Sequence, residues 1–195
     1  MGAQAATFRA ELVFDDDSEY TLYQRSLSLA VGRRLGERAS VVLGGGVVTG
    51  GSLIGAGRRY HVGTGFVASA TGGYRVFGGR DGEPYGVGTL SMGLSRTHAS
   101  HAASGEDEAL GATDLRIGGE LGITLFEHLR PFALARAFGG PVEFVREGEK
   151  RTGSDRHHYA LGFGARSEIW RGFELGFETS LLGERAFVWS ASAMF

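Results

Sequence analysis

The fold class is decided by the last nine residues, Phe187-Val188-Trp189-Ser190-Ala191-Ser192-Ala193-Met194-Phe195. Every second position in this stretch is an aromatic residue or alanine, and the stretch finishes on an aromatic residue. A period of two is typical of a β-strand, because successive side chains of a strand point to opposite faces. The stretch therefore predicts a strand whose two faces meet different surroundings.

The same alternation recurs along the chain, for example where Leu27, Leu29 and Val31 alternate with Ser26, Ser28 and Ala30. No segment has the spacing of a long amphipathic helix. Most of the predicted strands are longer than the five or six residues typical of soluble sheets, and about 9–13 residues suits a tilted strand that crosses a bilayer. The sequence predicts ten strands, at about 6–14, 20–32, 38–50, 58–77, 85–98, 113–125, 131–145, 157–169, 173–182 and 185–195.

The composition fits one folded, all-β domain that spans residues 1–195. Of the 195 residues 34 are glycine, three are proline and none is cysteine, and 42% are hydrophobic. The lack of cysteine excludes disulfide frameworks, cysteine-based zinc sites and thiol nucleophiles. A net charge of −2 argues against a general nucleic-acid binder, which usually carries a basic excess.

Residues 1–5 allow two interpretations. They have neither the basic segment nor the apolar segment of an intact signal peptide, but Ala3-Gln4-Ala5 matches the pattern that precedes a secretory cleavage site. They are either the remnant of a removed signal or an ordinary alanine-rich terminus.

Charged residues share one face with many glycines and serines, opposite a face of Leu, Phe, Val and Tyr. A closed antiparallel barrel explains this if the apolar face meets lipid and the polar face lines the lumen. The alternative is a soluble β-sandwich or lipocalin-like barrel, in which the apolar face is the core. Closure also removes the exposed edges of such long strands. The expected lumen charges are Arg9, Glu11, Arg75, Arg116, Glu120, Arg166, Glu168, Glu174 and Glu178.

The stretch from Phe187 through Trp189 to Phe195 resembles the C-terminal signature of bacterial outer-membrane β-barrels. Aromatic residues near the predicted strand ends would form the two interfacial girdles of such a barrel. The resemblance implies a closed transmembrane barrel of about ten strands, with eight as the alternative. It also implies that the insertion machinery of the outer membrane reads the terminal strand. Small structural or adhesive barrels, solute channels, omptin proteases and lipid A-modifying enzymes all share this class, so the fold does not choose a function.

The connections also follow the barrel pattern. Short turns are expected at 33–37, 78–84, 126–130 and 170–172, on the periplasmic side with both termini. Longer outer loops are expected at 51–57, 99–112 and 146–156, beside a short acidic loop at 15–19. The connection at Gly183-Glu184 fits the long-loop side poorly.

Three arginines break the alternation. Arg25 and Arg96 share the parity of apolar neighbours near the predicted outer rim. There they either contact lipopolysaccharide phosphate or lie where the strand has already become loop, and we favour the loop for Arg25. Arg136 lies mid-strand with Phe132, Leu134 and Phe138, so either a bulge turns it inward or the seventh strand faces the other way.

Five of the six histidines lie near predicted outer ends of strands. His98, His101, His157 and His158, with Asp114 and Asp155 near the same rim, are a weak candidate for a metal site or for an Asp/His pair that activates water. Exposed histidines with no joint role are the favoured interpretation. The segment Thr97–His101 only faintly resembles the Ser/His arrangement of lipid A deacylases. The acidic run 15–19 lacks EF-hand spacing and is best interpreted as a solvated turn.

We therefore expect an integral protein of the bacterial outer membrane with no enzymatic activity, cofactor or metal. Its role would be structural or surface-interacting, and lumen charges would plug the barrel. The first alternative is a narrow channel for small solutes or ions, and the second is a hydrolase (a protease or a lipid A-modifying enzyme) that uses the outer-rim histidines. Expected partners are outer-membrane lipid, lipopolysaccharide and the barrel-insertion machinery, and no nucleic acid.

Overall fold

The computed structural model describes residues 1–78, 80–103, 107–146, 148–170 and 172–193. Among these residues there is no helix with the length and apolar character needed to cross a membrane. The described residues form twelve β-strands: β1 (Gly2–Phe14), β2 (Glu19–Leu35), β3 (Ala39–Gly55), β4 (Arg58–Phe77), β5 (Pro84–His101), β6 (Asp107–Ile123), β7 (Leu129–Gly139), β8 (Val142–Arg146), β9 (Glu149–Asp155), β10 (Tyr159–Trp170), β11 (Phe173–Gly183) and β12 (Arg185–Ala193).

These strands form one closed, antiparallel barrel of ten strands. The ring runs through β1 to β7 and then through β10, β11 and β12, and it closes where β12 pairs with β1 from Gly2↔Ser192 to Arg9↔Arg185. The predicted closed barrel of about ten strands is confirmed. We call the end that holds Gly2 and Ala193 the terminal end, and the opposite end the distal end.

The barrel narrows from ten strands to eight toward the distal end. The β11–β12 hairpin turns at Gly183-Glu184, part-way up the wall, and above it β9 pairs directly with β1 through Leu12↔Asp155. There β8 pairs with both β6 and β9, so the distal ring contains β1 to β6, β8 and β9. The interior of an eight-stranded barrel is just wide enough to be filled by side chains. The narrowing therefore favours a packed distal interior and a roomier terminal interior.

The apolar face of the wall changes sides along the barrel axis. Around the terminal half, large apolar side chains point outward and form an exposed ring that we call the apolar belt. Around the distal half, apolar side chains such as Leu12 and Phe14 point inward, and they are 2% and 3% exposed. The outward side chains there are polar ones such as Thr21, His61 and Glu143. The belt includes Leu27, Leu29, Val31, Leu43, Val47, Phe66, Leu90, Met92, Leu94, Leu115, Ile117, Leu121, Leu161, Phe163, Leu175 and Trp189.

The prediction of long outer loops is wrong. The distal connections are short, at 15–18, 56–57, 102–106 and 147–148, because the strands continue through most of 51–57, 99–112 and 146–156. In sequence these segments resemble loops because 51–57 is rich in glycine and the other two are rich in charge. The strands there have buried inward residues such as Ala99, Leu110 and Phe144. Their charges lie on both faces, since Lys150 is exposed whereas Glu108 is buried and Asp155 lines the interior.

The seventh predicted strand faces the other way, as one of the two alternatives had it. Phe132, Leu134 and Phe138 are buried inside the barrel on the same face as Arg136, and small residues such as Ala133 point outward. The regular pairing of β7 with β6 and β10 needs no bulge there.

The tip of the β11–β12 hairpin requires glycine. Gly183 has a φ of +75°, and a Cβ at this position would lie 1.8 Å from the carbonyl oxygen of Tyr159. Gly36, in the β2–β3 turn, has nearly the same φ of +78° but nothing within 4 Å of its missing Cβ. The two glycines share a backbone conformation and differ in the space around them.

We therefore expect Gly183→Ala to destabilise the barrel more than Gly36→Ala does. Gly36→Ala should cost about 1 kcal/mol, the usual penalty of the left-handed conformation. Gly183→Ala should cost about 3 kcal/mol, because the wall beside Tyr159 must also move. Urea unfolding of the refolded variants in detergent measures both, and equal losses would contradict this role of the hairpin tip.

Candidate functional site

The distal interior is closed by a cluster of aromatic and aliphatic side chains, which we call the distal plug. Its centre is formed by Phe14, Tyr20, Leu53, Tyr60 and Phe144. The rings of Tyr60 and Phe144 lie 5.3 Å apart in an edge-to-face arrangement, and both side chains are at most 1% exposed. Such packing in an eight-stranded ring leaves no aqueous path along the axis through the plug.

Below the plug lies a cavity of about 330 Å³, which we call the mid-lumen cavity. Apolar side chains of the plug's lower edge line it on one side. Several polar side chains line it elsewhere. The lining includes Leu12, Leu22, Leu110, Gln24, Asp114, Arg116, Asp155 and Glu184.

Arg116 is the only arginine among the described residues that line the mid-lumen cavity, and two carboxylates hold it. Its Nη1 and Nη2 donate to the two carboxylate oxygens of Glu184 at 2.6 and 3.0 Å, and its Nε donates to Asp114 Oδ2 at 2.5 Å. The guanidinium also lies 4.8 Å from the ring centroid of Phe138. Bidentate pairing of this kind fixes both the position and the orientation of the guanidinium.

Asp155 lies in β9, beyond the apolar belt, and faces the same cavity. Its Oδ1 accepts a hydrogen bond from the backbone N–H of His157 at 2.8 Å. No arginine or lysine among the described residues forms an ion pair with Asp155. Burial raises the pKa of the Asp155 carboxyl to about 6.

Three further arginine–carboxylate pairs line the terminal half of the lumen. Arg166 binds Glu120 through two hydrogen bonds of 2.8 Å, and Arg136 binds Glu178 through bonds of 2.5 and 2.7 Å. The third pair joins Arg130 to Glu174. We call the pairs of Arg130, Arg166, Arg136 and Arg116 the arginine ladder.

The ladder occupies only one side of the lumen. Opposite it, β3, β4 and β5 present many small side chains such as Ser40, Thr71 and Ser91, and Arg34 of β2 also lines this side. This asymmetry leaves a polar vestibule of about 570 Å³. Arg116 lines both the vestibule and the mid-lumen cavity, so it lies between them.

Most of the expected lumen charges do face the lumen. Arg116, Glu120, Arg166, Glu174 and Glu178 belong to the ladder. Arg75 lies on the inward side of β4, between the exposed Tyr74 and Val76. Glu168 shares the parity of the inward Arg166 in β10.

Arg9 and Glu11 were expected in the lumen and lie outside it. Between and above them, Ala10 and Leu12 are buried in the distal interior, which turns the charged face of β1 outward. Arg9 lies 3.6 Å from Glu11 and stacks 5.4 Å from the ring of Tyr23, and Glu11 also lies 3.4 Å from His157. The expectation failed because it extended the inside-out pattern of the belt to a part of β1 where the pattern is reversed.

Three ladder residues are absent from the expected lumen set, since Asp114 is assigned to the rim, Glu184 to a poorly fitting turn and Arg130 to a predicted turn. Arg136 is expected to turn inward under both alternatives, but its aromatic neighbours obscure which of them applies. Those neighbours were themselves the available signal, because Phe132 stacks 4.4 Å from the Arg166 guanidinium. An inward aromatic beside an arginine is typical of cation–π packing.

Arg25 and Arg96 lie on the outer surface at the distal edge of the belt. Arg25 is an exposed residue within β2, opposite Gly50, so the expectation that it lies in a loop is wrong. Arg96 is exposed within β5, opposite Phe66. Both positions allow a guanidinium to reach past the belt edge toward water.

The histidines are dispersed. His98 and His101 lie on opposite faces of β5, where His98 is exposed outside and His101 stacks on Tyr60 at 5.1 Å inside. His157 and His158 lie across the barrel, before β10. Within the described ranges, no three His, Asp or Glu side chains are placed to hold a metal ion.

The hydroxyl and imidazole groups of segment 97–101 do not form a Ser/His pair either. The Thr97 hydroxyl donates to the Gly63 carbonyl at 2.9 Å inside the wall, and the Ser100 hydroxyl donates to Asp107. Neither hydroxyl hydrogen-bonds an imidazole.

The acidic run at the β1–β2 connection is tied to the barrel's own groups. Asp16 accepts hydrogen bonds from Ser18 and pairs with Arg151, and Asp15 accepts from the Thr152 N–H at 3.3 Å. The Ser18 hydroxyl holds the pKa of Asp16 below its usual value. These contacts describe a structured surface turn.

In the last strand, Phe187 and Trp189 face outward and their rings lie 5.3 Å apart. The third residue of the expected insertion signature, Phe195, lies outside the described residues.

No family model and no curated protein match the chain. Solved structures do match. The transport unit of the autotransporter AIDA-I from Escherichia coli is 11% identical with a TM-score of 0.49, over 100% of this chain and 89% of that one. The translocator domain of NalP from Neisseria meningitidis is 14% identical with a TM-score of 0.49, over 100% and 88%. Ail, the attachment invasion locus protein of Yersinia pestis, is 15% identical with a TM-score of 0.37, over 98% and 95%.

These structural neighbours are outer-membrane β-barrels. At such identities and TM-scores the likeness carries no argument about what this chain does. The fold itself rests on the strand pairing described above.

Proposed function

We propose that this chain is an integral barrel of the bacterial outer membrane, without enzymatic activity, that acts as a structural or surface-interaction protein through its distal wall. The observation that carries the proposal is the reversal of the apolar face along the barrel axis. Lipid would cover the belt, and the distal half would stand in water around its own core.

The belt supports the membrane assignment. Large side chains such as Leu29, Ile117 and Leu121 are 60–64% exposed, and they belong to a continuous apolar ring. Apolar patches beyond a few hundred Å² mark interaction with a partner or a membrane. A ring that encircles a closed barrel matches lipid, since closure through β12 and β1 leaves no open sheet edge there.

The expected partners follow from the same geometry. Arg25 and Arg96, exposed at the distal edge of the belt, would meet the phosphates of lipopolysaccharide. The outward pair Phe187 and Trp189 on the last strand is what the barrel-insertion machinery would read.

The distal plug argues against the channel alternative, and the dispersed histidines argue against the hydrolase alternative. A channel needs a continuous aqueous path, and Tyr60 and Phe144 lie across it. An Asp/His pair that activates water needs groups within hydrogen-bond reach. Among the described residues no hydrogen bond joins an Asp carboxylate to an imidazole, and Asp155 accepts only the backbone N–H of His157.

We expect refolded protein to insert into a planar lipid bilayer without producing current steps. Insertion is confirmed separately by a heat-modifiable band on a gel, and a general porin in the same bilayer serves as the positive control. Discrete steps whose size changes in Arg116→Ala or Glu120→Gln would contradict the sealed lumen and would identify a channel. A chain that is soluble without detergent, with no heat-modifiable band, would contradict the membrane assignment itself.

A further inference from the structure

We infer that the mid-lumen cavity is a binding site for a small organic cation with an apolar body, such as an arylalkylamine. The ammonium group would lie between Asp155 and Gln24, and the hydrocarbon would pack against Leu12, Leu22 and Leu110. This site is separate from the distal wall, through which the proposed surface interaction would act.

The charges around the cavity favour a cation. Three carboxylates face it, on Asp114, Asp155 and Glu184, against the single guanidinium of Arg116. Arg116 is already bound by Asp114 and Glu184. Asp155 keeps one hydrogen bond, from a backbone N–H, and no cationic partner among the described residues. Its pKa, raised by burial to about 6, still leaves it ionised at pH 7.5, where an ammonium would offset the unfavourable burial.

Gln24 provides a second, independent reason. Its side chain is 4% exposed and lines the cavity, yet its amide makes no hydrogen bond to any described residue. The amide opens onto the cavity, where a ligand or water would complete its hydrogen bonds. The carbonyl oxygen of Gln24 can accept a hydrogen bond from an ammonium group.

The remaining lining decides between a metal ion and an organic cation. Leu12, Leu22 and Leu110 supply an apolar wall that a hydrated metal ion would not use. The described side chains also provide no set of three metal ligands. The volume of about 330 Å³ is ample, because a cavity of roughly 150 Å³ already accepts benzene. Arg116 lines both the cavity and the vestibule, so the two spaces adjoin at this residue.

The test is isothermal titration of the full refolded chain in detergent micelles at pH 7.5 with phenethylammonium chloride. The uncharged isostere 2-phenylethanol serves as the matched ligand control. Asp155→Asn removes the charge but keeps an oxygen that can accept the His157 N–H. Asp81→Asn, in an exposed turn at the terminal end, is the matched variant control.

We expect saturable 1:1 binding of the amine, weakened at least tenfold by Asp155→Asn and unchanged by Asp81→Asn. The alcohol should bind at least tenfold more weakly than the amine. If Asp155→Asn does not refold, Gln24→Leu replaces it and should weaken binding severalfold. Equal binding by the variants and the unchanged chain would mean partition into micelles and would overturn the proposal, as would the absence of saturable binding to folded protein.

Discussion

Leu29→Arg is expected to destabilise the barrel in lipid vesicles by about 2–4 kcal/mol, the cost of arginine on the lipid face near the bilayer midplane. Leu29 is 60% exposed and points outward from β2, between Leu27 and Val31 in the apolar belt. The described residues paired with Leu29, Ala3 and Gly45, have no polar side chain to pair with a guanidinium. Folding titrations with urea in vesicles measure the loss directly.

The matched control is Thr21→Arg. Thr21 lies on the same strand and the same face, but on the distal side of Tyr23, where its paired outward neighbours are Glu11 and the partly exposed Ile54. There the new guanidinium remains in water, so we expect a change within about 0.5 kcal/mol, as for ordinary surface substitutions. Equal losses at the two positions would mean that the belt does not meet lipid.

The belt half of the barrel could be predicted from sequence because lipid is a uniform solvent. Every outward position there has to be apolar, so the alternation of Leu27 and Leu29 with Ser26 and Ser28 reveals both the strand and its inward face. Strand number and most of the lumen charges follow from this alternation.

The distal half could not be predicted in the same way. Alternation says that two faces of a strand differ, but it does not say which face is inside. Ala10, Leu12 and Phe14 have the pattern of a lipid-facing strand and form part of the distal core instead. The reversal depends on the narrowing from ten strands to eight, which arises from pairings between residues as distant as Leu12 and Asp155.

For the same reason, the place of Glu184 in the arginine ladder could not be predicted from the sequence. Glu184 lies in a one-residue connection that reads as a surface turn, yet its side chain is 7% exposed and binds Arg116, 68 positions away in sequence. Only the placement of the hairpin tip inside the wall turns this glutamate inward. Local pattern carries no information about such a placement.

Glu120→Ala tests the energetic role of the ladder, and we expect it to destabilise the barrel by about 3 kcal/mol. The Glu120 carboxylate is 8% exposed and holds both terminal nitrogens of Arg166 at 2.8 Å. Removing it leaves the Arg166 guanidinium, which stacks on Phe132, without its carboxylate partner in the lumen. Breaking a buried pair costs about 3–5 kcal/mol. Because this pair lines the polar vestibule, where solvent screens its charges, we expect a cost at the lower limit of that range.

The double variant Glu120→Leu/Arg166→Met separates the cost of an unpaired charge from the value of the pair itself. Two apolar side chains of similar size leave no buried charge, so we expect them to recover most of the loss seen in Glu120→Ala. Arg9→Ala, at the exposed pair with Glu11, is the control and should change stability by less than about 1 kcal/mol. Urea unfolding in detergent measures all three variants. A double variant as unstable as Glu120→Ala would mean that the pair stabilises the barrel by itself, and that the ladder is more than a way of neutralising charges in the lumen.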